Sequence, residues 1–194
     1  MARTVAVVRE HPAVSALRQV VIVAGASILV AVCARLSLPL PFTPVPLTLA
    51  NFAVLVVGLT LGSKRGFAAL ALYLAQGAAG LPVFSPAGPG GIAQLLGPTG
   101  GYLLAYPLAA FLAGWIAERG APRFQRFLIA AMAAEVVVFA GGISWLIVLA
   151  HGAGQAVRFG LYPFVFGEII KLMAASAIGV KAERRKLYVP SSGF

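Results

Sequence analysis

Six stretches of this chain are long and apolar enough to be solvated by lipid, which restricts the backbone to structures that satisfy their own hydrogen bonds. They run roughly Leu17 to Leu38, Leu47 to Gly62, Gly66 to Leu81, Gly100 to Ala117, Phe127 to Ala150 and Phe159 to Val180. A crossing helix needs about 17 to 25 residues, so the second and third are short, and a merged or re-entrant arrangement is the alternative there. Turn signals separate the stretches: PLPFTPVP, GSKRG, PVFSPAGPGG, ERGAPRFQR and HGAGQAVR. Only 10% of residues are charged and 60% are hydrophobic, against about 25% charged in a soluble domain. The expected fold class is an all-α membrane protein of six transmembrane helices. A single membrane-embedded domain over residues 1–194 is expected, with 1–16 and 183–194 as cytoplasmic segments.

Lys and Arg are retained in cytoplasmic loops, so their positions set the orientation. Arg3, Arg9, Arg18, Lys64, Arg65, Arg119, Arg123, Arg126, Lys181, Arg184, Arg185 and Lys186 fall on one side of a six-span arrangement, against Arg35 and Arg158 on the other. Both termini are expected in the cytoplasm, in a multi-pass protein of a bacterial cytoplasmic (inner) membrane. The net charge of +10 is then a topology signal rather than a nucleic-acid footprint, and no nucleic-acid partner is expected. The basic leader before VVIVAGASILVAVCA also resembles a signal peptide. Val32 before Cys33 spoils a lipoprotein-type cleavage site, and the apolar helix simply continues. One cysteine excludes an internal disulfide.

Soluble-enzyme motifs are missing. GPGGIAQLLGPTGGY contains no GxxxxGK[ST], no serine lies in GxSxG, and His11 and His151 form no HExxH pair. No enzyme activity, cofactor or metal is expected. The glycine-rich segment instead lets backbone approach something closely. No residue between Leu81 and Tyr102 is charged, and Val83, Phe84, Ile92, Leu95 and Leu96 are apolar. On the outer side between the third and fourth spans, stiffened by Pro82, Pro86, Pro89 and Pro98, it is expected to fold back as a lid; an exposed loop is the bland alternative.

Glu168 and Lys171 stand one helical turn apart inside the last span, on the same helix face. Ionised groups at bilayer depth cost about 2.5–3.5 kcal/mol each on lenient scales and commonly mark a binding site or ion path. A self-neutralising salt bridge is the structural alternative, and an empty site that pairs internally reconciles the two. Glu135 is a third buried acid, to be protonated or hydrogen-bonded across helices. Trp145, Tyr73 and Tyr162 are expected as interfacial anchors. Ala24, Ser27 and Ala31 make a small-residue face that a helix of this chain or of a partner can approach.

PLPFTPVPLTL, KRGFAALALYLAQGAAGLPVF, LLGPTGGYLLAYPLAAFLAG and FGEIIK together resemble the BioY family, the substrate-binding S components of biotin transporters of the energy-coupling-factor type. The resemblance extends from Leu17 to Lys181. It implies high-affinity capture and uptake of biotin, with a transmembrane coupling subunit and two cytoplasmic ATPase subunits as partners. It also implies docking to the coupling subunit through Ala24, Ser27 and Ala31. The family commonly has proline and aspartate where Phe166 and Glu168 stand, and glutamine where Ala50 stands.

Biotin is a compact bicycle with a planar ureido end and a carboxylate on a flexible chain. Glu168 is expected to accept ureido N–H bonds, and Lys171 to donate to the ureido oxygen or to the carboxylate. Tyr102 and the amides of Gly97, Thr99, Gly100 and Gly101 are expected at the carboxylate, and the loop bearing Phe84, Gln94 and Gly97 to Gly101 to close over the ligand. A proton-coupled secondary carrier of a small organic acid or vitamin, using Glu135 and Glu168, is the alternative; a membrane scaffold whose charges only pair is a third.

Overall fold

A computed structural model describes residues 12–150 and 152–188. Arg3, Arg9, His11, His151 and the end of the expected cytoplasmic tail lie outside the described residues. The elements are α1 (Pro12–Arg35), β1 (Ser37–Leu38), β2 (Leu47–Thr48), α2 (Ala50–Leu61), α3 (Ser63–Ala78), α4 (Gly91–Leu96), α5 (Gly100–Ala117), α6 (Phe124–Ala150), α7 (Ala153–Gly160) and α8 (Val165–Tyr188). Among the described residues, three helices are long and apolar enough to cross a membrane: Ala13–Arg35, Gly100–Ala117 and Phe124–Leu149. The α7–α8 pair, bent by 54°, makes a fourth if it counts as one span.

Helix α2 is the central post, packing against α1, α3, α5, α6 and α8. Its 12 residues ANFAVLVVGLTL reach only about 18 Å at 1.5 Å per residue. Extended chain replaces the missing turns: residues 36–49 form a two-strand antiparallel ladder, Ser37 opposite Thr48 and Leu38 opposite Leu47. The first apolar stretch therefore ends as a helix at Arg35, not Leu38. Irregular backbone inside a membrane bundle is tolerated where it is covered by protein or lines a cavity, and this segment does line one.

GSKRG is not the loop that its composition suggests. Only Gly62 leaves the helical conformation, at φ +84°, and Ser63, Lys64 and Arg65 form the first turn of α3. Glu118 at the end of α5 makes this possible: its Oε1 accepts from the Ser63 amide at 2.9 Å and its Oε2 from the Ser63 hydroxyl at 2.8 Å. An acidic group at a helix N-terminus satisfies open N–H groups and complements the dipole. HGAGQAVR is likewise mostly helix, as α7, and the sixth stretch breaks at residues 161–164, where Pro163 lacks the N–H that would continue the helix.

The core is built from small residues, among them Ala109, Ala110, Ala113, Ala130, Ala131 and Ala134, all fully buried. Small side chains let backbones touch without a hydrophobic drive between helices. One close approach joins α5 to α6: a Cβ on Gly101 would lie 2.3 Å from the Gly141 carbonyl oxygen and from Trp145 Cβ. Gly101→Val is expected to lower stability by about 1–3 kcal/mol or more, read as a lower midpoint in thermal unfolding of the detergent-purified protein.

Candidate functional site

The break before α8 places Glu168 in the first turn of that helix, where the positive dipole end favours a carboxylate. Lys171, one turn on, donates from Nζ to Glu168 Oε1 at 2.7 Å and to the carbonyl oxygen of Thr48 at 2.8 Å. Thr48 belongs to β2, so the extended segment supplies the acceptor that a completed α2 would have used internally. Both side chains are buried, with Glu168 4% and Lys171 9% exposed. Glu168 Oε2 has no hydrogen-bond partner among the described residues. An ion pair out of water is secure only when its remaining lone pairs and protons are also met; here one carboxylate oxygen is left to be met.

Glu168 lines a pocket among α1, the 36–49 segment, α2, the 79–99 loop, α5, α6 and the α7–α8 turn. Its apolar wall includes Ala34, Val45, Leu103, Phe139 and Phe164; its polar groups include Asn51, Ser85, Gln94, Thr99, Tyr102 and Tyr106. The free volume is about 50 Å³, several times what one water requires and well short of the roughly 300–1,000 Å³ typical of small-molecule sites. Apolar walls with a few convergent polar groups are the usual make-up of such a site.

The Gly/Pro-rich segment contributes part of the wall of this pocket. Ser85, Gln94 and Thr99 line it. Gln94 is buried and braces the loop, accepting from the Gly90 amide at 3.1 Å and donating to Ser85 O at 3.4 Å. Trp145 Nε1 donates to Gly97 O at 3.0 Å, so Trp145 pins the loop to α6 and spends its N–H there, not at an interface. Phe84 tucks beneath the loop, edge-on to Tyr73 at 5.3 Å between ring centroids, and does not line the pocket. Ile92 and Leu96 point outward and are exposed, so only part of the apolar loop is buried.

Several expected roles change with these positions. Tyr73 is fully buried between Phe84 and Tyr106, which removes it from the interfacial anchors; Tyr162 is exposed. Tyr102 lines the pocket, but its hydroxyl donates to Gly160 O at 2.8 Å, leaving it no proton for a ligand carboxylate. The Gly100 amide is likewise committed, donating to Gly97 O at 2.9 Å, and Gly101 faces α6. Gly97 lies beside the pocket in a second groove between the two proline-rich loops. Ser27 is fully buried and its hydroxyl donates to Gln76 Oε1, so the helix that approaches it is α3 of this chain, not a partner. Ala24 and Ala31 are half-buried beside it.

Glu135 is hydrogen-bonded across helices, its Oε1 accepting from Asn51 Nδ2 at 3.2 Å, and Asn51 Oδ1 accepts from the Tyr106 hydroxyl at 2.7 Å. Asn51 and Tyr106 escaped the sequence reading. The available signal was a carboxamide in the otherwise apolar opening of α2, which needs partners when buried.

A model of the BioY family matches residues 5–187. The chain belongs to the BioY family. The biotin transporter BioY of Thermotoga maritima is 38% identical over 156 residues, covering 80% of this chain and 90% of that protein. A probable biotin transporter BioY of Pyrococcus horikoshii is 43% identical over 141 residues, covering 73% and 80%. The crystal structure of an S component for biotin from an ECF-type ABC transporter superposes with a TM-score of 0.82 at 25% identity, covering 93% of this chain and all of that one. These relatives are transporters, not enzymes.

Removing one partner of a buried ion pair strands the other charge, a loss of about 3–5 kcal/mol. Lys171→Met is therefore expected to destabilise the protein by that amount, and the added change Glu168→Leu to restore most of it. Thermal unfolding in detergent measures both.

Proposed function

We propose that this chain captures biotin and supports its uptake as the S component of an energy-coupling-factor transporter. One observation supports the reading above others: in a BioY-family chain, a pocket with apolar walls is lined by Glu168, whose Oε2 has no partner among the described residues. Biotin's ureido edge offers N–H donors to such an acceptor; Lys171 does not itself line the free space, and its third N–H would meet the ureido carbonyl only once the wall has moved. Hydrogen bonds to ionised groups contribute about 1.5–3 kcal/mol each. The bicycle would lie against Phe139, Phe164 and Leu103.

The cargo enters only if the wall moves, because the free space is about 50 Å³. The loop at 79–99 is the part that can yield: its grip on the bundle includes the Trp145 bond to Gly97. The mechanism is thus capture from outside, closure of the loop and reorientation. In this account six spans cross the bacterial cytoplasmic membrane with both termini inside, α2 and α3 being short crossings completed by the 36–49 segment and the glycine-rich loop.

The chain has no Walker loop of its own, and energy would come from a transmembrane coupling subunit and two cytoplasmic ATPases. Docking falls to the outward stripe of α1, where Val21, Ile28 and Val32 are exposed beside Ala24 and Ala31. Ser27 is excluded from it.

In an equilibrium titration of the purified protein with biotin, Glu168→Gln and Lys171→Ala are each expected to weaken binding by about tenfold or more, the equivalent of one charged hydrogen bond. Full affinity in both variants would remove the pair from the site.

A further inference from the structure

Glu135 is 5% exposed and does not itself line the pocket, yet it ends a chain of hydrogen bonds that does. Its Oε1 accepts from Asn51 Nδ2 at 3.2 Å, and Asn51 Oδ1 accepts from the Tyr106 hydroxyl at 2.7 Å. A carboxamide has a donor side and an acceptor side, whereas a phenol hydroxyl serves as either. Tyr106 alone would accommodate both orientations of the Asn51 amide, donating to Oδ1 in one and accepting from Nδ2 in the other. In its ionised form Glu135 breaks that symmetry because it only accepts, so the NH₂ side must then face it; its other oxygen, Oε2, meets no donor among the described residues. The Tyr106 proton is then drawn to Asn51, and the phenolic oxygen is left as an acceptor on a residue that lines the pocket.

We propose that Glu135 sets the hydrogen-bonding polarity of the pocket: acting through Asn51, it holds Tyr106 as an acceptor, so that the wall selects ligands that donate N–H. This rests on the biotin reading, since the ureido edge carries two N–H donors on one rigid ring. Glu168 lines the same pocket and its Oε2, without a partner among the described residues, is a second acceptor there in this account. Glu135 is a positioning residue, working at two removes from the ligand.

Glu135→Gln separates this role from a merely structural one. The substitution is isosteric and still bonds Asn51 in either amide orientation, so packing is kept while the lock is released. The probes are biotin and its two carbamate analogues, in each of which a ring oxygen replaces one ureido N–H, titrated against the purified protein with thermal unfolding as the check on folding.

The Gln substitution is expected to lose about tenfold of the wild-type preference for biotin over one of the analogues, the worth of one hydrogen bond. Asn51→Leu, which frees Tyr106 from the amide altogether, is expected to lose the preference likewise. In a Tyr106→Phe background, Glu135→Gln should leave the preference where it is, because no two-way hydroxyl remains. A Glu135→Gln protein with the wild-type preference for both analogues, or an equal loss with and without Tyr106, overturns the proposal. If the wild-type protein binds no biotin, the functional reading fails and takes this inference with it.

Discussion

A carboxylate and an ammonium held 2.7 Å apart and out of water, Glu168 and Lys171, set the terms for the rest of this molecule. Neither charge is tolerable alone among apolar helices, and the pair is still incomplete, because attraction between the two does not satisfy the remaining lone pairs and protons. The fold supplies one of the missing partners by interrupting a helix. Were α2 extended backward by three more turns, the Thr48 carbonyl would be closed within its own ladder; as extended chain, it reaches Lys171 instead. The short central helix and the strand-like segment before it are thus conditions for the ion pair, not irregularities beside it.

The same logic runs through the loop that lines part of the pocket. Polar backbone in a membrane bundle must find partners inside the protein, and here the side chains of Gln94 and Trp145 supply them to Gly90, Ser85 and Gly97. Each is an individually modest bond, so the loop is held but not locked. That is the property the proposed capture requires of this wall.

Much of the candidate site was legible before any coordinates. Two opposite charges one turn apart in an apolar run are rare enough to stand out, and a 20-residue stretch with no charge and many glycines points to a loop that packs on the bundle. What stayed hidden depends on contacts between distant segments. The start of α3 at Ser63 rests on Glu118, 55 positions away, and no local reading of GSKRG reveals it. Tyr102 is an apt ligand donor by type, but Gly160 takes its proton. Ser27 looks like a docking residue by spacing, yet Gln76 claims it. Spacing tells which residues share a face; it does not tell which neighbour that face meets.

The central claim is that Glu168 meets the cargo directly. Infrared difference spectroscopy of the purified protein, biotin-saturated minus biotin-free, tests it at the atom concerned. The account predicts a shifted carboxylate stretch that disappears from the difference spectrum of Glu168→Gln. A biotin-saturated protein whose spectrum is the same with glutamate or glutamine at position 168 would contradict it.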